Sequence, residues 1–156
     1  MQFYNQLSWR KAGGKWRSRT VKGTSAAIEG LKAGGLYELR VRARAGSATG
    51  AWSKVAGRWL SKASSLKAAA GKSKGTVRVS WAADEAATGG YVAYACAKKE
   101  GKVLARTAVA AGKTSATLTG LESDKAYYVK VRPIREVSGT TYVGVVRYCK
   151  STVKAK

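Results

Sequence analysis

Histidine is absent from this 156-residue sequence, cysteine occurs twice and proline once, and eight acidic residues face thirty Lys and Arg. Each shortage removes a class of chemistry. Without His there is no common general base near neutral pH and no imidazole ligand for a metal. Two cysteines cannot complete a four-ligand zinc site, and the serines have no His partner for a triad. The acids are Glu29, Glu38, Asp84, Glu85, Glu100, Glu122, Asp124 and Glu136. Asp84-Glu85 and Glu122-Ser123-Asp124 read as turn residues, and no stretch has the oxygen-rich spacing of a calcium loop. No Gly-rich loop leads into a helix to cradle phosphate. The sequence therefore predicts no enzyme, no cofactor and no metal. No run approaches the ~18 apolar residues of a membrane span, so no membrane insertion is expected. Met1-Gln2-Phe3-Tyr4-Asn5-Gln6 lacks the charged start and apolar stretch of a secretory signal.

What is present is a formal charge of +22 on a chain that is 45% hydrophobic, a globular rather than a disordered composition. The architecture is set by an internal repeat. Thr24-Ser25-Ala26-Ala27-Ile28-Glu29-Gly30-Leu31 returns as Thr114-Ser115-Ala116-Thr117-Leu118-Thr119-Gly120-Leu121. Tyr37 returns as Tyr127, and Leu39-Arg40-Val41-Arg42 as Val129-Lys130-Val131-Arg132. The offset is 90 throughout, and eight of the twenty positions from 24 to 43 are identical. Two copies of one module is the simplest explanation.

Within each copy the period is two. Tyr37, Leu39, Val41 and Ala43 alternate with Glu38, Arg40, Arg42 and Arg44, the pattern of a half-buried strand. Tyr127, Val129 and Val131 do the same, as does Thr76-Val77-Arg78-Val79-Ser80-Trp81. Gly13-Gly14, Gly34-Gly35 and Gly89-Gly90 punctuate the strands as turns, and no segment has a convincing helical period. Short strands with regular turn signals predict an all-β sandwich.

The pattern resembles tandem fibronectin type III domains of the bacterial cell-surface type. The residues that carry the resemblance are the corners Gly30-Leu31 through Tyr37 and Gly120-Leu121 through Tyr127. Trp81 stands at the family's core tryptophan, Val92 and Tyr94 at inward positions of the third strand, and Gly50-Ala51-Trp52-Ser53 at the last-strand motif. The resemblance implies immunoglobulin-like sandwiches in which the corner Tyr hydroxyl closes onto nearby backbone. It divides the chain into a partial module over 1–60, a linker over 61–65 and a complete module over 66–156. The first module begins at its third strand, Phe3 to Trp9, and lacks its first two. Leu7, Trp9, Leu39 and Val41 would then lie on an incompletely covered face, where each side chain forgoes ~1.5–3 kcal/mol of burial. A fragment of a longer protein explains this, and so does a second chain that donates strands or self-assembles there.

In the family's sheet order the strands bearing Lys15, Arg17, Arg19 and Arg40, Arg42, Arg44 flank the third strand, so the six are expected on one basic surface. Lys130 and Arg132 continue it in the second module. Residues 1–60 hold twelve cations and two acids (+10), and 61–156 hold eighteen and six (+12), so the first module is the more densely charged. Such a surface either keeps a protein soluble or meets a polyanion. Trp9, Tyr37, Trp81, Tyr94 and Tyr127 fall on core-facing positions, and Trp16, Trp59, Tyr128 and Tyr148 are too scattered for a base-stacking platform. An anionic cell-wall polymer or acidic glycan, or a protein partner, is therefore expected ahead of nucleic acid. The resemblance implies a non-catalytic spacer or adhesion module outside a bacterial cell. A filament or virion subunit, a nucleic-acid-associated protein and an accessory domain of a larger enzyme are the alternatives. Cys96 continues the parity of Val92 and Tyr94, and Cys149 sits near the end of the last strand. The family order places a strand between them, which separates the pair by ~10 Å. A disulfide needs Cα atoms within ~7 Å, so free thiols are expected before a Cys96–Cys149 bridge.

Overall fold

The structure, a computed structural model, describes residues 2–156. It is all-β among those residues and divides into two compact units, Met1–Leu60 and Ser61–Lys156.

Unit 2 is a sandwich of two antiparallel sheets. The larger pairs β11 (Ala126–Val137) with β8 (Gly90–Cys96) on one side and with β12 (Thr140–Gly144) and β13 (Arg147–Tyr148) on the other, and β9 (Val103–Val109) extends it beyond β8. The smaller runs β10 (Ser115–Leu118), β7 (Val77–Ser80), β6 (Lys67–Ala70). Two-residue alternation explains the core: Val77, Val79 and the neighbouring Leu118 of the smaller sheet are buried, as are Val129 and Val131 of the larger. Trp81 tilts against Tyr91 with ring centroids 5.0 Å apart. Gly90 permits the tight entry into β8. Its φ is +81°, and a Cβ there would lie 2.1 Å from the Val109 carbonyl oxygen, so only glycine fits. Residues 61–64 belong to this unit: Val145 N–H donates to Ser61 O at 2.7 Å and Ala82 N–H to Ser64 O at 3.0 Å.

The parity expected of β8 is reversed. Pro133, Val131 and Val129 pair with Tyr91, Ala93 and Ala95, so these three face the sandwich interior. Val92, Tyr94 and Cys96 pair with Arg132, Lys130 and Tyr128 on the outer face. Val92 and Cys96 are nevertheless buried, so both faces of β8 are covered. A strand buried on both faces carries no alternation from which its inner side can be read.

Unit 1 has a single sheet. β1 (Phe3–Lys11) is central, β2 (Arg17–Val21) forms one edge, and β3 (Leu36–Ala45) carries β5 (Ala56–Trp59) and the short β4 (Ala48–Thr49) on its far side. It matches the larger sheet of unit 2, but among the described residues nothing matches β6 and β7. Residues 25–28, the copy of β10, form no strand.

The tyrosine corners are the same in both units. Lys32 N–H donates to Tyr37 Oη at 2.9 Å, and Glu122 N–H to Tyr127 Oη at 2.9 Å. Among the described residues no helix is long and apolar enough to cross a membrane.

Candidate functional site: two cationic faces of unit 1

Strand register decides where the cations go. Directly paired residues of an antiparallel sheet point to the same face. Arg40 pairs with Ser8, Arg42 with Gln6 and Arg44 with Tyr4. Arg17 pairs with Trp9 and Arg19 with Leu7, and those two pair in turn with Leu39 and Val41. Arg17 and Arg19 therefore share the apolar face, while Arg40, Arg42 and Arg44 occupy the opposite one. The single basic surface expected from the sequence is two surfaces. The physical reason is the turn over residues 12–16, which sets the parity of β2 against β1. Lys15 lies in that turn, exposed.

On the Arg40 face, cations and indoles alternate. The Arg10 guanidinium lies 4.5 Å from the Trp16 ring centroid and that of Arg40 4.1 Å from it. Arg40 is also 4.3 Å, and Arg42 4.4 Å, from the Trp52 centroid. Carboxylate and amide close the two ends: Arg10 Nε donates to Glu38 Oε2 at 2.5 Å, and Arg42 Nε to Gln6 Oε1 at 2.7 Å. Each guanidinium–indole contact contributes ~0.5–2 kcal/mol, more as water is excluded. On this face Ser8 is 0% and Glu38 8% exposed, whereas Val41 on the apolar face is 41% exposed. The polar face of this sheet is its better-covered one. Ser8 stays satisfied by donating to Arg17 O at 3.0 Å and accepting from Ser18 Oγ at 3.0 Å. The Nε atoms of Arg40 and Arg44 are buried without a hydrogen-bond partner. Stacked this way, Arg40 and Arg42 serve the fold before any ligand. Trp16, Trp52 and Arg10 were not singled out with them in the sequence. The available signal was two tryptophans in a chain segment that also places arginines two residues apart on one strand.

Unit 2 repeats the arrangement with weaker partners. Lys130 Nζ lies 5.6 Å from the Tyr94 centroid and 5.4 Å from that of Tyr148. Arg132, half-buried, also has a buried Nε without a partner.

The second cationic region of unit 1 is a cleft of about 780 Å³ between the β1–β2 turn and the Gly30–Tyr37 corner. Lys11, Lys15, Arg17 and Lys32 border it, Trp9 and Tyr37 contribute apolar surface, and no carboxylate lines it. Arg17 and Arg19 are exposed, although Arg19 Nη2 donates to the Ala27 carbonyl. Leu7, Leu39 and Val41 line a separate groove of about 240 Å³ with Asn5, Val21 and Ile28. Trp9 lies outside that groove and borders the cleft.

Both thiols are free. Cys96 lies on β8 and Cys149 N–H donates to Val129 O at 2.8 Å, with β11 between them. Burial pushes the Cys149 thiol above its ordinary 9.0, and the Arg147 charge offsets part of this. Among the described residues no three His, Cys, Asp or Glu side chains gather to hold a metal.

No protein-family model matches the sequence, and no curated protein matches it. Among the solved structures similar to it are two from chicken proteins. The FN1–FN3 domains of chicken CNTN1 align over 97% of this chain at 20% identity with a TM-score of 0.49, and this chain spans 56% of their length. A two-domain fibronectin type III segment of chicken tenascin aligns over 97% of this chain and 83% of its own length, at 16% identity and a TM-score of 0.49. This chain is thus similar to tandem fibronectin type III segments.

Proposed function

We propose that this chain is a non-catalytic pair of spacer or adhesion modules, working outside the cell or on its surface, that holds an anionic polymer through the exposed cations of unit 1. The carrying observation is the cleft bordered by Lys11, Lys15, Arg17 and Lys32, whose lining contains no carboxylate. Pairing thirty cations one-to-one with eight acids leaves 30 − 8 = 22 cations for solvent ions or an anionic partner. Like charges held close on a small surface repel, and a polyanion relieves that repulsion while releasing its own counterions. A cell-wall polymer or acidic glycan chain supplies anions to a cleft lined by cations and no carboxylate. The half-buried Trp16 and Trp52 are already stacked on arginine, so neither is free as a platform for nucleic-acid bases. The bacterial surface setting comes from the sequence resemblance.

Retention on immobilised heparin and on duplex DNA at matched salt tests this reading. The expected result is later elution from heparin, with Lys15→Gln/Arg17→Gln eluting at lower salt than the parent. Preferential retention on DNA would replace the polymer reading with the nucleic-acid one. No retention on either at low salt would end both.

A further inference from the structure

Arg42 and Arg44 stand on one face of β3, two residues and so ~6.8 Å apart along the strand. Each lies in a rung of neutral hydrogen-bonding groups. Gln6 pairs with Arg42 and Thr20 with Gln6, while Tyr4 and Thr49 pair with Arg44 from either side. Thr20 and Thr49 are exposed. Glu38, the one acid on the strands of unit 1, is bonded to Arg10 Nε at 2.5 Å. Among the described residues neither Arg42 nor Arg44 has an ion-pair partner.

The Arg42 guanidinium is held in place. It donates from Nε to Gln6 Oε1 at 2.7 Å and lies 4.4 Å from the Trp52 ring centroid. Arg44 keeps its Nε buried. An indole attracts a cation through its ring but offers no lone pair to an N–H donor. The terminal nitrogens of both arginines therefore keep their donors, and those nitrogens are not buried.

A guanidinium already held by its neighbours presents a planar fork to an oxyanion and loses little side-chain entropy in doing so. Two forks in a row fit anionic groups spaced along a chain. The amide of Gln6 and the hydroxyls of Thr20 and Thr49 fit neutral hydroxyls between those groups. A polysaccharide bearing sulfate or carboxylate groups has both features, whereas polyphosphate has only the charge. Neither arginine borders the cleft.

We propose that Arg42 and Arg44 form a second site, apart from the cleft, that binds an acidic polysaccharide through paired guanidinium forks. It rests on the reading of the partner as an acidic glycan, but not on the cleft itself.

The test titrates the full chain with a short heparin oligosaccharide and follows backbone amide signals by NMR. Shifts are expected at Gln6, Thr20, Arg42 and Arg44, beside those at the cleft. Arg42→Lys/Arg44→Lys keeps the charge and removes both forks, and affinity read at these residues should fall about ten-fold. The Tyr37 corner signals should stay unchanged. If the double variant fails to fold, Arg44→Lys alone leaves Trp52 its contacts to Arg40 and Arg42 and should show a smaller loss of the same kind. The oligosaccharide stripped of sulfate identifies the group held: retained affinity assigns carboxylate, lost affinity assigns sulfate, and either supports the site. Shifts at Arg42 and Arg44 with none at Lys15, Arg17 and Lys32 would sink the cleft reading and leave this one standing. Shifts confined to the cleft overturn the proposal. Equal affinity of the lysine variant reduces the effect to net charge and also overturns it, as does tighter binding of inorganic polyphosphate at Arg42 and Arg44.

Discussion

Tyr127 Oη accepts the backbone N–H of Glu122 at 2.9 Å, and Tyr37 accepts that of Lys32 at the same distance in the other unit. Two corners of equal geometry follow from Leu-x5-Tyr spacing at Leu31 and Leu121. The hydroxyl secures the loop that enters β3 in one unit and β11 in the other. Tyr127→Phe keeps the buried ring and removes the acceptor, so unit 2 should lose about 1 kcal/mol. Urea unfolding checks this: the midpoint should fall with the slope unchanged. Tyr37→Phe should act in the same direction on unit 1.

Arg40 and Arg17 should separate stability from anion binding. Arg40→Ala removes contacts to both Trp16 and Trp52 and should cost unit 1 about 1–4 kcal/mol, from two contacts of ~0.5–2 kcal/mol each. Arg17→Ala, at an exposed edge position, should stay within about 0.5 kcal/mol of the parent yet elute from heparin at lower salt. Denaturation followed by tryptophan fluorescence, alongside the elution salt, reads both. An Arg40→Ala chain of unchanged stability would show that the stacked face is dispensable.

Stability should fall on the alkaline side. Burial raises the Cys149 thiol above its ordinary 9.0, and burial likewise raises the Tyr91 phenol above its ordinary 10.0, the Asp84 backbone bond offsetting part of that. In each case the unfolded chain gives up its proton first, so it binds fewer protons than the native state and the slope of stability against pH is negative. The contribution is whole below the unfolded value and is lost as pH climbs through the folded one. Urea midpoints measured from about pH 8 to pH 10 should decline, and Cys149→Ser should flatten the first part of that decline. A rising midpoint over this range would contradict the burial of both groups.

Alternation in Tyr37–Ala43 and Tyr127–Val131 made β3 and β11 legible, because one face of each is polar and one apolar. The corner tyrosines were legible because their partner lies five residues away, within one loop. β8 was misread in parity because Val92 and Cys96 are buried on its outer face just as Tyr91 and Ala93 are on its inner one. The cationic pairs were misplaced for a related reason: Arg17 alternates with Ser18 whichever way β2 is turned.

From the sequence alone came the two copies, their strand-built character, the corners and the excess of cations. All of these are local or periodic properties, carried by side chains that act within a few residues of one another. The tertiary structure decided which face Arg17 and Arg19 share, that Trp16 and Trp52 stack on Arg40, and that the copy of β10 in unit 1 is not a strand. Each of those depends on a neighbour distant in the chain, since a register is fixed between strands and a strand exists only when its backbone is paired.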